Sequence, residues 1–299
     1  MTASRLEGQT LSGESLFVRY VNFVKLPHTV FALPFAFIGV VYASTRVSVN
    51  VVQGLLVLVA FTAARFAAMG FNRIADRHYD ALNARTSSRE LPSGRLSLAQ
   101  ASLSVAAAST LFVVVAALLN PLCARLSPIA LVWILSYSYA KRFTSLAHFW
   151  LGGALAIAPV GGYLAVAGSW SDPWWTLVVL PCSVLTWVAG FDIFYALQDE
   201  DFDRAHDLKS AVVLLGRSRS VLLAKLLHGI TIGTLVWFGV GAGFGGWYYL
   251  AVGIAAALLT WEHQLVRPDD LSKLNAAFFR MNGVISIVVF CGALGDRLL

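Results

Sequence analysis

The chain has 299 residues, 58% of them hydrophobic and only 13% charged, with a mean hydropathy of +0.72. A soluble domain carries about 25% charged residues, so too little polar surface is available to face water and the bilayer must be the solvent for much of the chain. A formal net charge of +6 raises nucleic acid as a partner, but its placement along the chain reads as a topology signal, and no nucleic-acid partner is expected.

Residues 1–20 are polar and contain no secretory apolar core. They are expected to form an N-terminal cytoplasmic segment ahead of one membrane domain over 21–299. The first apolar run starts near Val21, has no small-residue cleavage pattern at its end, and is predicted to be a retained helix. Apolar runs follow at roughly 23–44, 51–71, 100–119, 126–140, 146–167, 174–198, 221–240, 245–262 and 277–296. Most approach the ~20 residues that span a bilayer. The pattern predicts an all-α integral membrane fold of about nine transmembrane helices, with the run at 126–140 the shortest. Cys123, Cys182 and Cys291 lie far apart in or beside apolar runs and suggest neither a disulfide framework nor a metal site.

With nine spans, the connecting segments alternate sides. One side holds Arg5, Arg19 and Lys25, then Arg73, Arg77, Arg85, Arg89 and Arg95. It also holds Lys141 and Arg142, then Arg204, Lys209, Arg217 and Arg219, and finally Arg267, Lys273 and Arg280, 17 basic residues in all. The other side holds 3, Arg46, Arg125 and Arg297. This asymmetry predicts a multi-pass protein of the cytoplasmic (inner) membrane. Its N-terminus and the loops 73–99 and 199–219 would be cytoplasmic, and its C-terminus would face the opposite side.

Both long polar segments fall on that basic side. The first runs from Asn72 through Asp76 and Asp80 to Asn83, Arg85, Thr86, Arg89 and Glu90. The second runs from Asp192 through Tyr195, Asp199 and Asp203 to His206, Asp207, Lys209 and Ser210. Asn72, Asp76 and Asp80 stand at four-residue steps and share one helix face, as do Asp192, Tyr195, Asp199 and Asp203. Arg65 lies two turns deeper on roughly the first of those faces. Like charges at i, i+4 destabilise a helix, and a helix C-terminus is the wrong end for anions. A bound cation would reverse both effects. Carboxylates converging from two helices suit Mg2+, which takes one or two of them and fills its octahedron with water and phosphate oxygens. Two such clusters can grip a diphosphate through bridging metals, with Lys141 and Arg142 adding positive charge.

Plainer readings stand beside these. An Asp- and Arg-rich loop is commonly just solvated, although a repeat of the same face-sharing pair argues against coincidence. Arg65 and Asp192 within spans cost roughly 2.5–3.5 kcal/mol each on insertion scales; each is either functional or snorkels to the interface. His28, His148 and His206 show no metal spacing and read as interfacial or structural. The Trp and Tyr residues read as belt or core, with Tyr137 and Tyr139 set apart by preceding Lys141. The Asp motifs end the second and sixth helices, an even number of spans apart, which predicts a parallel internal repeat with the site between its halves.

At these residues the sequence resembles the UbiA superfamily of intramembrane prenyltransferases, over about 20–290. The first family motif matches Asn72, Asp76, Asp80, Arg85-Thr86 and Arg89-Glu-Leu-Pro-Ser-Gly94. The second matches Asp192 to Asp203 followed by Lys209-Ser210, and a third element matches Tyr139-Ala-Lys-Arg-Phe-Thr144. The resemblance implies a central cavity capped by two cytoplasmic loops. Asp76, Asp80, Asp199 and Asp203 would bind Mg2+ and the polyprenyl diphosphate, with Asn72 supporting them. Lys141, beside Arg142, would contact the diphosphate, and Arg65 would hold the carboxylate of an aromatic acid acceptor. Tyr137, Tyr195 and Asp192 would line the reaction centre, and the isoprenoid tail would lie in a tunnel open to lipid. Arg73 departs from the pattern, because enzymes acting on 4-hydroxybenzoate commonly have Asp there. With Asn83 and the run Gln198–His206, this resembles the UbiA-like branch of bacterial quinone synthesis, part of which serves the futalosine route to menaquinone. The expected reaction is Mg-dependent prenylation of 4-hydroxybenzoate or a hydroxynaphthoate in ubiquinone or menaquinone synthesis. The competing expectations are a UbiA-family enzyme with a different acceptor, and a transporter with an Asp- and Arg-lined site, which should lie near the midplane rather than at helix ends.

Overall fold

The computed structural model describes residues 11, 13, 15–25, 32–266, 271 and 281–299. Arg5, His28, Arg267, Lys273 and Arg280 lie outside them. Among the described residues there are helices and turns and no strand, as expected where lipid offers the backbone no hydrogen-bond partners. The helices are α1 (Leu16–Phe23), α2 (Leu33–Ser44), α3 (Val51–Ala75), α4 (Arg77–Leu82), α5 (Leu98–Leu119), α6 (Pro121–Ser136) and α7 (Ala140–Phe143). They continue with α8 (Ala147–Ala167), α9 (Thr176–Ala196), α10 (Glu200–Ala205), α11 (Ala211–Leu215), α12 (Arg217–Ala242), α13 (Gly246–Leu265) and α14 (Asn282–Leu298).

Among the described residues each predicted apolar run contains a helix, although parts of the runs at 23–44 and 277–296 lie outside them. Among the described residues, six segments are long and apolar enough to cross a membrane: Val51–Ala75, Leu98–Leu119, Pro121–Phe143, Ala147–Ala167, Thr176–Ala205 and Arg217–Ala242. The short run at 126–140 belongs to a segment of 23 residues. Its start is set by Asn120, whose side chain accepts from the Cys123 N–H, and by Pro121 in the first turn, where a missing N–H is harmless. The Asn120 amide also donates to the Leu164 and Ala165 carbonyls, tying the α5–α6 turn to α8.

Helix α9 is the axis of the bundle. Trp187, Val184, Val188 and Leu180 on it are fully buried, and it packs between α8 and α12. Helix α2 packs on α8 and α14, and α3 on α5. The α2–α8 contact depends on Gly39 and Gly162, where an added Cβ would run into the backbone carbonyls of Pro159 and Ala36.

The structure corrects one helical expectation. Neither motif lies on an unbroken helix. The first breaks at Asp76 (φ −92°, ψ 4°), between α3 and α4. The second breaks through a 3-10 turn, Leu197–Asp199, before α10. The four-residue register survives the first break, because Asp76 N–H still bonds to Asn72 O at 2.9 Å and Asp80 N–H to Asp76 O at 2.8 Å. The breaks place Asp80 in the first turn of α4 and Asp203 in the first turn of α10. The dipole there favours anions, so the penalty expected at a helix C-terminus is largely avoided.

Both motifs end at one pole of the bundle. Arg19 reaches Arg95 O, Lys209 reaches Phe143 O and Arg217 reaches Glu200 there. At the opposite pole Arg297 bonds to Ser44.

Candidate active site

A cavity of about 290 Å³ opens between the two motifs. It is lined by all eleven residues singled out from sequence: Arg65, Asn72, Asp76, Asp80, Tyr137, Lys141, Arg142, Asp192, Tyr195, Asp199 and Asp203. They arrive from α3, α4, the Tyr137–Tyr139 turn, α7, α9 and α10, so residues up to 138 positions apart meet in one wall.

Each of the four carboxylates expected to hold metal, Asp76, Asp80, Asp199 and Asp203, faces a cation. Arg142 stands 3.3 Å from Asp76, Arg89 2.5 Å from Asp80 and Lys141 2.8 Å from Asp203. Arg85 grips both oxygens of Asp199, at 2.9 and 2.6 Å, and donates to the Tyr195 hydroxyl at 3.0 Å. Bidentate guanidinium–carboxylate pairing is among the stronger charge-assisted contacts, and here it ties the two motifs together. The Asn72 amide donates to Asp76 at 2.8 Å, which accounts for its place in the motif. The departure from the family pattern, Arg73, is buried: it donates to Phe23 O at 3.4 Å and lies 4.0 Å from Asp80. It therefore braces Asp80 and α1. Burial, reinforced by neighbouring Asp80 and opposed by Arg142, holds the Asp76 carboxyl above the usual carboxylate range.

Arg65 does not snorkel. It sits in the interior of α3 and lines two cavities, the polar one and an apolar one of about 190 Å³ that also share Tyr137, Leu151 and Leu155. The apolar cavity runs between α3, α5, α6 and α8 past Phe61, Phe112, Leu119 and Leu126. Arg65 forms no ion pair among the described residues, and its Nε is buried without a hydrogen-bond partner. An uncompensated guanidinium at membrane depth is a site for an anion.

Among the described residues no three His, Cys, Asp or Glu side chains stand together as a ready metal cage. Magnesium does not need one, since one or two carboxylates plus phosphate oxygens suffice. Asp80 keeps one buried oxygen, Oδ2, without a hydrogen-bond partner, and the donor set is hard oxygen throughout. The residues fit a divalent cation bound together with a phosphorylated ligand.

Three contributors escaped the sequence reading. Arg85 and Arg89 stood in the motif but were not assigned to the site. They lie in a loop of turns and bends rather than on a helix, and their partners, Asp199 and Asp80, become visible only once the loop folds back. His148, read as interfacial or structural, is fully buried and lies 2.7 Å from Asp192. Its partner is 44 residues away, and no local pattern announces it.

The UbiA prenyltransferase family matches residues 32–284. A 4-hydroxybenzoate octaprenyltransferase of Coxiella burnetii (strain Dugway 5J108-111) is 29% identical over 281 residues, covering 93% of this chain and 95% of that protein. One from Aromatoleum aromaticum is 30% identical over 224 residues, 75% of each chain. The structure of a UbiA homolog from Aeropyrum pernix K1 superposes with a TM-score of 0.83 at 31% identity, covering 91% of this chain and 99% of that one. A UbiA homolog from Archaeoglobus fulgidus bound to DMAPP and Mg2+ shares the fold, with a TM-score of 0.69 at 18% identity over 94% of this chain and 100% of that one. An all-helical membrane bundle, two Asp motifs facing one cavity and these matches have one reading: the chain belongs to the UbiA prenyltransferase family.

Proposed function

We propose that this prenyltransferase moves a polyprenyl group from its diphosphate to an aromatic hydroxy acid, of the 4-hydroxybenzoate or hydroxynaphthoate type, in respiratory quinone synthesis. The observation that carries the reading is Arg65, a guanidinium with no ion pair among the described residues, where a polar, carboxylate-lined cavity meets an apolar one. A planar carboxylate matches that fork. Relatives named for 4-hydroxybenzoate support the acceptor class, and a homolog bound to DMAPP and Mg2+ supports the donor class. The transporter reading is disfavoured because the acidic groups sit at helix ends at one pole.

The polar cavity is the place for the diphosphate and the apolar one for the isoprenoid tail. Asp76, Asp80, Asp199 and Asp203 would hold Mg2+, which supplies Lewis-acid charge to the leaving diphosphate. Like unit charges 4 Å apart repel by about 4 kcal/mol at an effective dielectric of 20, so carboxylates and phosphates need that counter-charge. Arg85, Arg89, Lys141 and Arg142 now neutralise the carboxylates and can turn their donors to phosphate oxygens. Tyr137 and Tyr195 border the centre where an allylic cation forms. The diphosphate leaves with the electron pair of its C–O bond, the ring supplies the pair for the new C–C bond, and the attacked ring carbon loses its proton. Arg65 holds the acceptor carboxylate, and Asp192 faces its hydroxyl. The basic asymmetry supports a cytoplasmic-membrane location with this pole and the N-terminus in the cytoplasm. Identification of the prenylated product formed by purified protein tests the reading.

A further inference from the structure

On the acceptor side of the cavity, Asp192 of the second motif is tied to a histidine outside the family motifs described above. His148 stands in the first turn of α8, fully buried, with Nδ1 2.7 Å from Asp192 Oδ2. Its other nitrogen, Nε2, lies 3.3 Å from the backbone N–H of Ala211. Ala211 opens α11 after the capping residue Ser210. The N–H groups of a first helical turn have no intrahelical partner and must donate elsewhere. An amide N–H can only donate, so Nε2 is the acceptor and the ring proton sits on Nδ1, directed at Asp192. Asp192 is therefore held through one oxygen. Its other oxygen makes no hydrogen bond among the described residues, while the side chain lines the cavity and remains 23% exposed.

We infer that His148 is a positioning residue: with Ala211 fixing its tautomer, it holds Asp192 so that the free carboxylate oxygen accepts a hydrogen bond from the acceptor's hydroxyl. That bond pushes electron density into the ring and raises its nucleophilicity toward the allylic carbon. The inference rests on the aromatic hydroxy acid proposed above, and it makes the hydroxyl, through Asp192, a second recognition element beside the Arg65 carboxylate contact. A buried histidine orienting a carboxylate parallels the way outer-shell hydrogen bonds orient metal ligands.

The test is a cycle of His148 and Asp192 variants in the full-length protein, with prenyl diphosphate, magnesium and a hydroxylated aromatic acid. His148→Leu keeps volume and removes the donor. Its kcat should fall tenfold or more, with the prenyl diphosphate KM within twofold of wild type. In an Asp192→Asn background the same change should cost less than twofold further. The acceptor's methyl ether should be a poor substrate for wild type and no worse for His148→Leu. In His148→Gln an amide can donate to Asp192 and accept from Ala211 N–H, so kcat should return to within threefold of wild type.

The inference is overturned if His148→Leu keeps its kcat, if it loses as much in the Asp192→Asn background, or if the donor KM shifts in step. Should the leucine variant not fold, the glutamine variant decides: a tenfold loss of kcat contradicts the two-bond role. A wild-type protein inactive on every aromatic hydroxy acid contradicts both the functional reading and this inference. A wild type that is active, with an unchanged leucine variant, contradicts the inference alone.

Discussion

At the scale of single residues, the site balances charges that water would otherwise solvate. Arg65 has no carboxylate partner among the described residues, which makes it the sharpest probe of the acceptor. Arg65→Lys keeps the charge but loses the two parallel donors. The acceptor KM should rise tenfold or more, matching a loss of about 1.5–3 kcal/mol for hydrogen bonds to a charged group, with the prenyl diphosphate KM little changed. A shift in the donor KM alone would move Arg65 to the donor side. Asp76 gives a second test, with opposite effects on stability and activity. Its carboxyl is held above the usual range by burial and by Asp80. The raised folded value means that its favourable contribution is complete below the ordinary carboxylate range, near about 3.9, and is lost as pH rises through the folded value. Asp76→Asn should therefore unfold at a higher temperature than wild type in metal-free buffer at pH 7. The gap should close on acidification toward pH 4, while turnover falls by well over tenfold. Equal melting temperatures at pH 7 would contradict the assigned electrostatics. Of the eleven residues that line the cavity, the Asp motifs and Arg65 were legible from sequence because four-residue spacing and buried charge are local signals, whereas the roles of Tyr137 and Lys141 rest on the resemblance to the family. His148 was not, since its meaning depends on a partner in another helix.

At the scale of elements, the breaks at Asp76 and Leu197–Asp199 matter most. They convert two membrane helices into helix–turn–helix units whose short outer helices, α4 and α10, carry Asp80 and Asp203 over the cavity. Sequence periodicity runs straight through such a kink, because the register is retained while the axis bends. The apolar runs, by contrast, located every long helix among the described residues, since length and hydropathy are the physical requirements for crossing a bilayer. Close packing is the other element-level constraint. Gly162 of α8 faces the Ala36 carbonyl of α2, whereas Gly161 has open space around its Cα. Gly162→Ala should destabilise the solubilised protein by about 1–3 kcal/mol through overpacking, and Gly161→Ala should not. Indistinguishable unfolding curves for the two would refute the α2–α8 contact.

At the scale of the whole molecule, two poles differ in chemistry. One collects the two motifs, their cations and the cavity mouth; the other carries Arg46 and Arg297 near Ser44. The proposed orientation puts Ser87 in the cytoplasm and Ser169 outside. An impermeant thiol reagent added to intact cells should label Ser169→Cys and spare Ser87→Cys; the reverse pattern would invert the topology. The central claim, metal-dependent prenyl transfer to an aromatic acid, is tested most directly with purified protein in detergent. Prenyl diphosphate, magnesium and 4-hydroxybenzoate or a hydroxynaphthoate are supplied, and products are identified by mass spectrometry. The account predicts a prenylated acid formed in step with released diphosphate, and abolished by EDTA. Undiminished transfer in metal-free buffer, or diphosphate release with neither acid prenylated, would contradict it.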